Sequence, residues 1–359
     1  MSCCEKLTAL AKMSNKYGAD ANYVLAGGGN TSFKNADNLW IKGSGTALAT
    51  IKPDDFVKMD RSLLALMWNK NYSADEDTRE AEVLADMMDA RVKGENRRPS
   101  VETLLHDLFP QQYILHVHPA SVNGITCSVE GKAAMTRLFP EAIWVDACKP
   151  GYILALDCKK AMDEYKAANG KDAYLLFLQN HGVFFAADTT EELDVLAAHV
   201  MNTIASSIKR EPDFESAEFD VDRAVSLAPV LRALYGENKP ATVKFLCNKE
   251  ILSYDPTTKS LTPDHIVYTK AKQLIIPAGA DGDKVKELFD AFVAENGYKP
   301  KVAFAEGLGM YSCGMTMKEA LTAQEVMLDA LKVVCYAESF GGVQVMPDFL
   351  IDFIVNWEV

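Results

Sequence analysis

A chain of 359 residues, 48% of them hydrophobic, is long enough to bury a substantial core and has the length of about two domains. Its 37 basic and 50 acidic residues leave a formal charge of -13, which opposes non-specific binding to nucleic acid or to an anionic membrane surface. Eight scattered cysteines lack the dense spacing of a secreted disulfide scaffold, and no apolar run has the length of a membrane span, so a cytoplasmic protein acting on a small molecule is expected.

The first stretch, MSCCEKLTALAKMSNKYG, has helical apolar spacing without the continuous apolar core of a signal peptide, and Cys3-Cys4 reads as a pair of free thiols. Two glycine-rich turns follow, GGGNTS (Gly27–Ser32) and KGSGT (Lys42–Thr46). Their backbone N–H groups and hydroxyls can cradle a phosphate, but neither has P-loop or dinucleotide spacing, and plain turn punctuation gives the same pattern. Helical spacing covers Arg79–Arg91. In RRPSVETLLHDLF, Pro99 and Ser100 mark a helix start, which places Glu102 in the first turn and His106 one turn further on the same face. A first-turn glutamate ordinarily complements the helix dipole; beside a divalent cation the same carboxylate can shuttle a proton. His106 reads as a helix-surface residue or as support behind a ligand.

Tyr113–His118 reads as a strand, on which His116 and His118 share one face and can converge on one ion. H-x-H also occurs on half-exposed polar strands, so the metal reading needs a third ligand. Tyr152–Leu156 and Tyr174–Leu178 are further short strand-like runs, the second leading to His181 just before Gly182. Three imidazoles with an open position make a catalytic zinc arrangement, whereas a turn histidine bonded to backbone is the plainer reading of His181 alone. A helical pattern over Glu191–Ile208 ends at the polar, proline-containing stretch Lys209–Phe219, which sets expected domains at 1–215 and 216–359. Helices and strands in alternation indicate an α/β fold. The segment from His181 lines up with that from Leu308, pairing Gly182 with Gly309, Thr189 with Thr316 and Glu192 with Glu319. Either a degenerate internal repeat or the shared habits of two strand-turn-helix units explains the match; in both cases Leu308 stands where His181 does.

Taken in order, GGGNTS, LWIKGSGT, RPSVETLLH, HVHPA and QNHGV resemble the class II aldolase/adducin family over roughly residues 1–215. LWIKGSG is especially similar to the aldolase part of bacterial fusions joining a rhamnulose-1-phosphate aldolase to a short-chain dehydrogenase; the second half here has no dinucleotide glycine signature. The resemblance implies a three-layer α/β/α sandwich around a mostly antiparallel sheet, followed by a smaller α/β domain without metal ligands. It implies Zn2+, or another divalent first-row ion, on His116, His118 and His181, with Glu102 as the catalytic carboxylate. Phosphate-binding positions carry over to Gly29, Asn30, Ser44, Gly45 and Ser100, and Val101 stands where simpler members have a second serine, leaving Lys42 or Arg98 to compensate. The implied activity is retro-aldol cleavage of a ketose 1-phosphate of the rhamnulose or fuculose type by a homo-oligomer. Sugar-phosphate 4-epimerases, a thio-sugar-phosphate dehydratase and non-catalytic adducin-like proteins share the scaffold and are the rival readings, as is a sugar-phosphate binding protein.

Overall fold

A reciprocal capping box starts the first helix: Ser2 accepts from the Glu5 backbone N–H, Glu5 accepts in return from Ser2, and α1 (Cys3–Gly18) follows. The computed structural model describes residues 2–356. Through residue 207, apart from 127–130, these form one unit; residues 127–130 and those from 208 onward form a second. Among the described residues no helix is long and apolar enough to cross a membrane.

The strands of the first unit are β1 (Asn30–Lys34), β2 (Asn38–Lys42), β3 (Phe56–Asp60), β4 (Tyr113–Val117), β5 (Ile143–Val145), β6 (Leu175–Leu178) and β7 (Gly182–Ala187). They form one sheet in the order β3-β2-β1-β4-β7-β6-β5, in which only β5 and β6 run parallel. Its helices after α1 are α2 (Arg61–Met67), α3 (Glu76–Asp89), α4 (Thr103–Leu108), α5 (Ala120–Thr126), α6 (Gly131–Leu138), α7 (Tyr152–Asn169) and α8 (Thr190–Ala205). Strand alternation sorts the apolar side chains between faces. Leu39, Ile41, Ile114, Leu176 and Phe184 point into a core closed by α2, α3, α4 and α7, while α1, α5 and α8 cover the other face. The result is the three-layer α/β/α sandwich with a mostly antiparallel sheet.

Two local expectations fail. Tyr152–Leu156 is the first turn and a half of α7, which buries Tyr152, Leu154, Ala155, Cys158 and Met162. A five-residue apolar run fits a strand or a buried helix segment equally well, and the helical spacing that continues to Met162 decides it. The helix after Pro99 and Ser100 begins only at Thr103, so Glu102 precedes its first turn and its side chain makes no capping bond. That carboxylate is directed elsewhere.

The second unit contains α9 (Val221–Gly236), β8 (Thr242–Leu246), α10 (Lys249–Ser253), α11 (Pro263–Thr269), β9 (Leu274–Ile276), α12 (Gly282–Asn296), β10 (Val302–Ala305), β11 (Gly309–Gly314), α13 (Met317–Ala337) and α14 (Asp348–Asn356). Its four strands lie in the order β8-β11-β10-β9, with only β9 and β10 parallel. The run from β8 to α13 repeats that from β4 to α8 element for element, and sheet order and strand senses agree. Thr189 and Thr316 cap the corresponding helices, accepting from Glu192 and Glu319. Shared topology over eight elements, rather than one strand-turn-helix unit, favours the repeat over chance likeness.

β1 departs from ordinary alternation, because all five of its residues are buried and Asn30, Ser32 and Lys34 give one of its faces a polar lining. Burial pushes the Lys34 ammonium down to about 7, against the opposing pull of Asp107. Between about pH 7 and the usual lysine value of 10.5 the folded chain then binds fewer protons than the unfolded chain, so stability rises with pH through that window and is flat below it. Urea unfolding of the wild type and Lys34→Met at pH 7 and pH 9 should show the advantage of the methionine variant shrinking by roughly 2 kcal/mol. An advantage independent of pH would show that Lys34 does not titrate in this range.

Candidate active site

Antiparallel register brings the site together. Asn30 on β1 and Phe184 on β7 are both Cα partners of His116 on β4, so the three form one row across the sheet. His118 lies one residue beyond β4, on the same side as His116. His181 sits in the turn between β6 and β7, where its N–H donates to the Leu178 carbonyl and Asn180 takes a left-handed conformation with φ 55°. Gly182 opens the space beside it: a Cβ there would stand 2.6 Å from both His118 Cδ2 and the Val117 carbonyl oxygen. Gly29, with φ 71°, likewise lets β1 begin against the His116 carbonyl, 2.7 Å from where a Cβ would stand.

The three imidazoles converge. His116 and His118 approach Nε2 to Nε2 at 2.8 Å, and ring centroids lie 5.1 Å apart for His116 and His181 and 4.9 Å apart for His118 and His181. One ligand nitrogen from each can be chosen so that all lie within 4.8 Å of one another. Glu102 adds its Oε1, 3.3 Å from His116 Nε2 and 3.6 Å from His181 Nε2. Burial would raise the Glu102 carboxyl, but the facing His116 and His181 and the Asn30 amide together hold it well below the usual carboxylate range.

This donor set fits a divalent cation. His116 Nδ1 donates to the Val183 carbonyl at 3.0 Å, which in the neutral ring leaves a lone pair on Nε2. That lone pair meets a second imidazole nitrogen and a carboxylate oxygen within hydrogen-bond range, an arrangement that is repulsive unless positive charge sits among them. Three imidazoles and one carboxylate suit zinc and neighbouring first-row ions.

The resemblance-derived phosphate positions lie on adjoining loops. Ser44 donates its N–H to the Arg98 carbonyl, Ser100 donates to the Lys42 carbonyl, and Gly43 bridges Pro99. Gly45 has φ 77° and open space around its Cα. Asn30 is placed differently from its neighbours: Nδ2 donates to Glu102 Oε2 at 2.5 Å and approaches Ser100 Oγ at 3.4 Å, and Oδ1 accepts from His106 Nε2. The amide is thus engaged with the carboxylate. Lys42 is buried and lowered in pKa by that burial, with Glu102 pulling the other way; Arg98 Nε is buried without a hydrogen-bond partner among the described residues.

His106 is fully buried, its Nδ1 2.7 Å from Ser32 Oγ and its ring edge-on to Phe184. It is therefore support behind the site and not a helix-surface residue. Sequence reading put Ser32 in a turn whose hydroxyls could cradle a phosphate, whereas it lies on β1 against His106, and passed over Lys34, although polar residues at every second position of NTSFK were the available signal.

The family model described as Class II Aldolase and Adducin N-terminal domain matches residues 8–206, more than half of the chain, and the protein belongs to this family. A Bacillus subtilis (strain 168) protein named Uncharacterized oxidoreductase YuxG is 23% identical over 383 residues, covering 92% of this chain and 54% of that protein. The chain thus spans about half the length of this curated relative. Among solved structures, the N-terminal class II aldolase domain of a conserved protein from Thermoplasma acidophilum is 23% identical, covering 57% of this chain and 95% of its own, with a TM-score of 0.48. An L-fuculose 1-phosphate aldolase is 19% identical over 57% of this chain and 86% of its own, with a TM-score of 0.40.

Gly182→Ala should weaken divalent-metal binding by the three histidines about 10-fold or more, because the added methyl must displace His118 or the Val117 carbonyl. Titration of the metal-stripped protein measures this; an unchanged affinity would show that His118 adjusts freely.

Proposed function

We propose that the protein is a metal-dependent aldolase that cleaves a ketose 1-phosphate of the rhamnulose or fuculose type to dihydroxyacetone phosphate and an aldehyde. The observation that carries this reading is the Glu102 carboxylate set 3.3 Å and 3.6 Å from two of three converging histidines, in a member of the class II aldolase/adducin family. LWIKGSG further suggests kinship with the aldolase part of the rhamnulose-1-phosphate aldolase/dehydrogenase fusions. We also assign catalysis to residues 1–215, leave 216–359 without ligands, and place the protein in the cytoplasm as a homo-oligomer; that none of the eight cysteines is in a disulfide fits a reducing compartment.

His116, His118 and His181 would hold the ion, zinc or another divalent first-row metal, and it would supply Lewis-acid stabilisation of negative charge. The residues around it do the rest. Cleavage breaks C3–C4 as the C4 hydroxyl loses its proton and leaves an enediolate that gains one at C3; Glu102, ionised at rest, would take up the first proton, directly or through water, and return it to C3, so that protons balance. The Gly29 and Gly45 backbone N–H groups, with the Ser44 and Ser100 hydroxyls, would hold the phosphate. Buried Lys42, whose carbonyl accepts from the Ser100 N–H, and Arg98, whose Nε has no hydrogen-bond partner among the described residues, would take over where Val101 replaces a serine.

Metal analysis combined with a coupled assay for dihydroxyacetone phosphate released from rhamnulose 1-phosphate and related ketose 1-phosphates tests the reading. Glu102→Gln should keep its metal and lose turnover and C3 proton exchange by about 100-fold or more. His181→Ala should lose zinc as well as activity. Zinc without product release would favour an epimerase or dehydratase, and protein that takes up no metal would favour the adducin-like, non-catalytic alternative.

A further inference from the structure

Behind the carboxylate lies a hydrogen-bonded chain with a single direction. His106 is sealed beneath Phe184, and burial holds its imidazole well below its usual pKa, against the pull of Glu102, so that the ring is neutral. A neutral imidazole has one donor and one acceptor. With Asn30 presenting Oδ1 to Nε2, the proton must lie on Nε2, and Nδ1 must accept from the Ser32 hydroxyl 2.7 Å away. The Asn30 amide then has only Nδ2 to offer Glu102, and it donates to Oε2 at 2.5 Å. Turning the amide over would set its carbonyl against the ionised carboxylate and lose that hydrogen bond, although the imidazole could answer an NH2 by moving its proton to Nδ1, so the direction of the chain is set from the Glu102 end. The backbone holds the base of this chain in place. Asn30, Ser32 and Lys34 occupy one face of β1, and Lys34 Nζ donates to the His106 carbonyl.

We propose that His106 is a positioning residue: acting through Asn30, it pins Glu102 Oε2 and thereby leaves Oε1 as the oxygen that faces the histidines and exchanges the proton. The proposal rests on Glu102 as the proton carrier. Asn30 is accordingly assigned to the carboxylate through one of its two Nδ2–H donors.

Two variants separate positioning from simple support. His106→Phe keeps a ring against Phe184 but deletes both nitrogens, whereas His106→Gln restores an N–H able to reach Asn30 Oδ1. Per metal-loaded site, His106→Phe should lower kcat and C3 proton exchange by about 10- to 100-fold with KM changed by less than about 3-fold, and His106→Gln should recover most of that loss. Equal losses in both variants, or a loss that vanishes once metal content and folded fraction are corrected for, would overturn it.

A second readout needs no substrate. In 15N-histidine-labelled protein, the His106 ring, identified among six histidines by its disappearance in His106→Gln, should show the Nε2–H tautomer and shift in Asn30→Ala. An Nδ1–H tautomer, or a ring indifferent to Asn30, would sink the proposal. Should the tautomer be as expected while no ketose 1-phosphate is cleaved, the aldolase reading would fail and the hydrogen-bonded chain would stand.

Discussion

The register of β4 between β1 and β7 is the constraint from which the rest of the site follows. A sheet fixes side chains in rows, and the row through His116 places Asn30 on one side and Phe184 on the other. Phe184 stacks on the His116 ring with centroids 4.0 Å apart and meets the His106 ring edge-on, so a single aromatic side chain holds both imidazoles. A slip of one residue in either pairing would turn Asn30 or Phe184 to the opposite face. Such a slip would also move the apolar residues Ile114 and Ala186 out of the core they share with α2, α3, α4 and α7. Core formation and site assembly therefore depend on the same hydrogen bonds.

The polar lining of β1 has an energetic consequence. Buried polar groups are unfavourable unless their hydrogen bonds are made, and a buried ammonium is more unfavourable still. Here each group has a partner: Asn30 and Ser32 meet His106, Lys34 meets its carbonyl, and Thr31 on the opposite face meets Ser14 of α1 at 2.7 Å. Because α4 contributes both Glu102 just ahead of its first turn and His106 within it, these bonds fix the helix against the strand. The arrangement spends stability on a carboxylate held in one orientation, which is the pattern expected where preorganisation serves chemistry.

How far this could be read from residues alone depended on the range of the interaction. The histidines were legible because strand period is local: two residues apart on β4 share a face, and a turn before Gly182 delivers the third. The sandwich itself was read through a resemblance spread over five ordered motifs. Tyr152–Leu156 was misread because five apolar residues carry no period, and the start of α4 because Pro99 and Ser100 are good openers whose backbone is instead drawn into pairing with Lys42 and Gly43. His106 could not be told apart as a helix-surface residue or as support behind a ligand because its partners, Asn30 and Ser32, lie more than seventy residues earlier. Helical periodicity cannot report what a distant strand will place beneath it.

The second unit shows what the scaffold does without that strand. Aligning Gly309 on Gly182 and following the pairing of β8 with β11 puts Phe245 at the position of His116, Cys247 at that of His118 and Leu308 at that of His181. Cys247 and Leu308 are buried, and Phe245 packs against Tyr311 and Phe219. In the first unit β4 is flanked by β1, whereas among the described residues β8 is the edge of its sheet, with no counterpart of β1 beside it. The polar row is absent together with the ligands. A cluster of imidazoles at that sheet end needs a neighbouring strand to satisfy its outer hydrogen bonds and to hold a carboxylate against it; where that strand is lacking, apolar side chains are the stable filling. The same loop geometry persists nonetheless, since Gly307 has φ 65° where Asn180 has φ 55°. The two units share backbone topology but not the side chains at this sheet end, and the unit with the polar face of β1 is the one that carries the imidazole cluster.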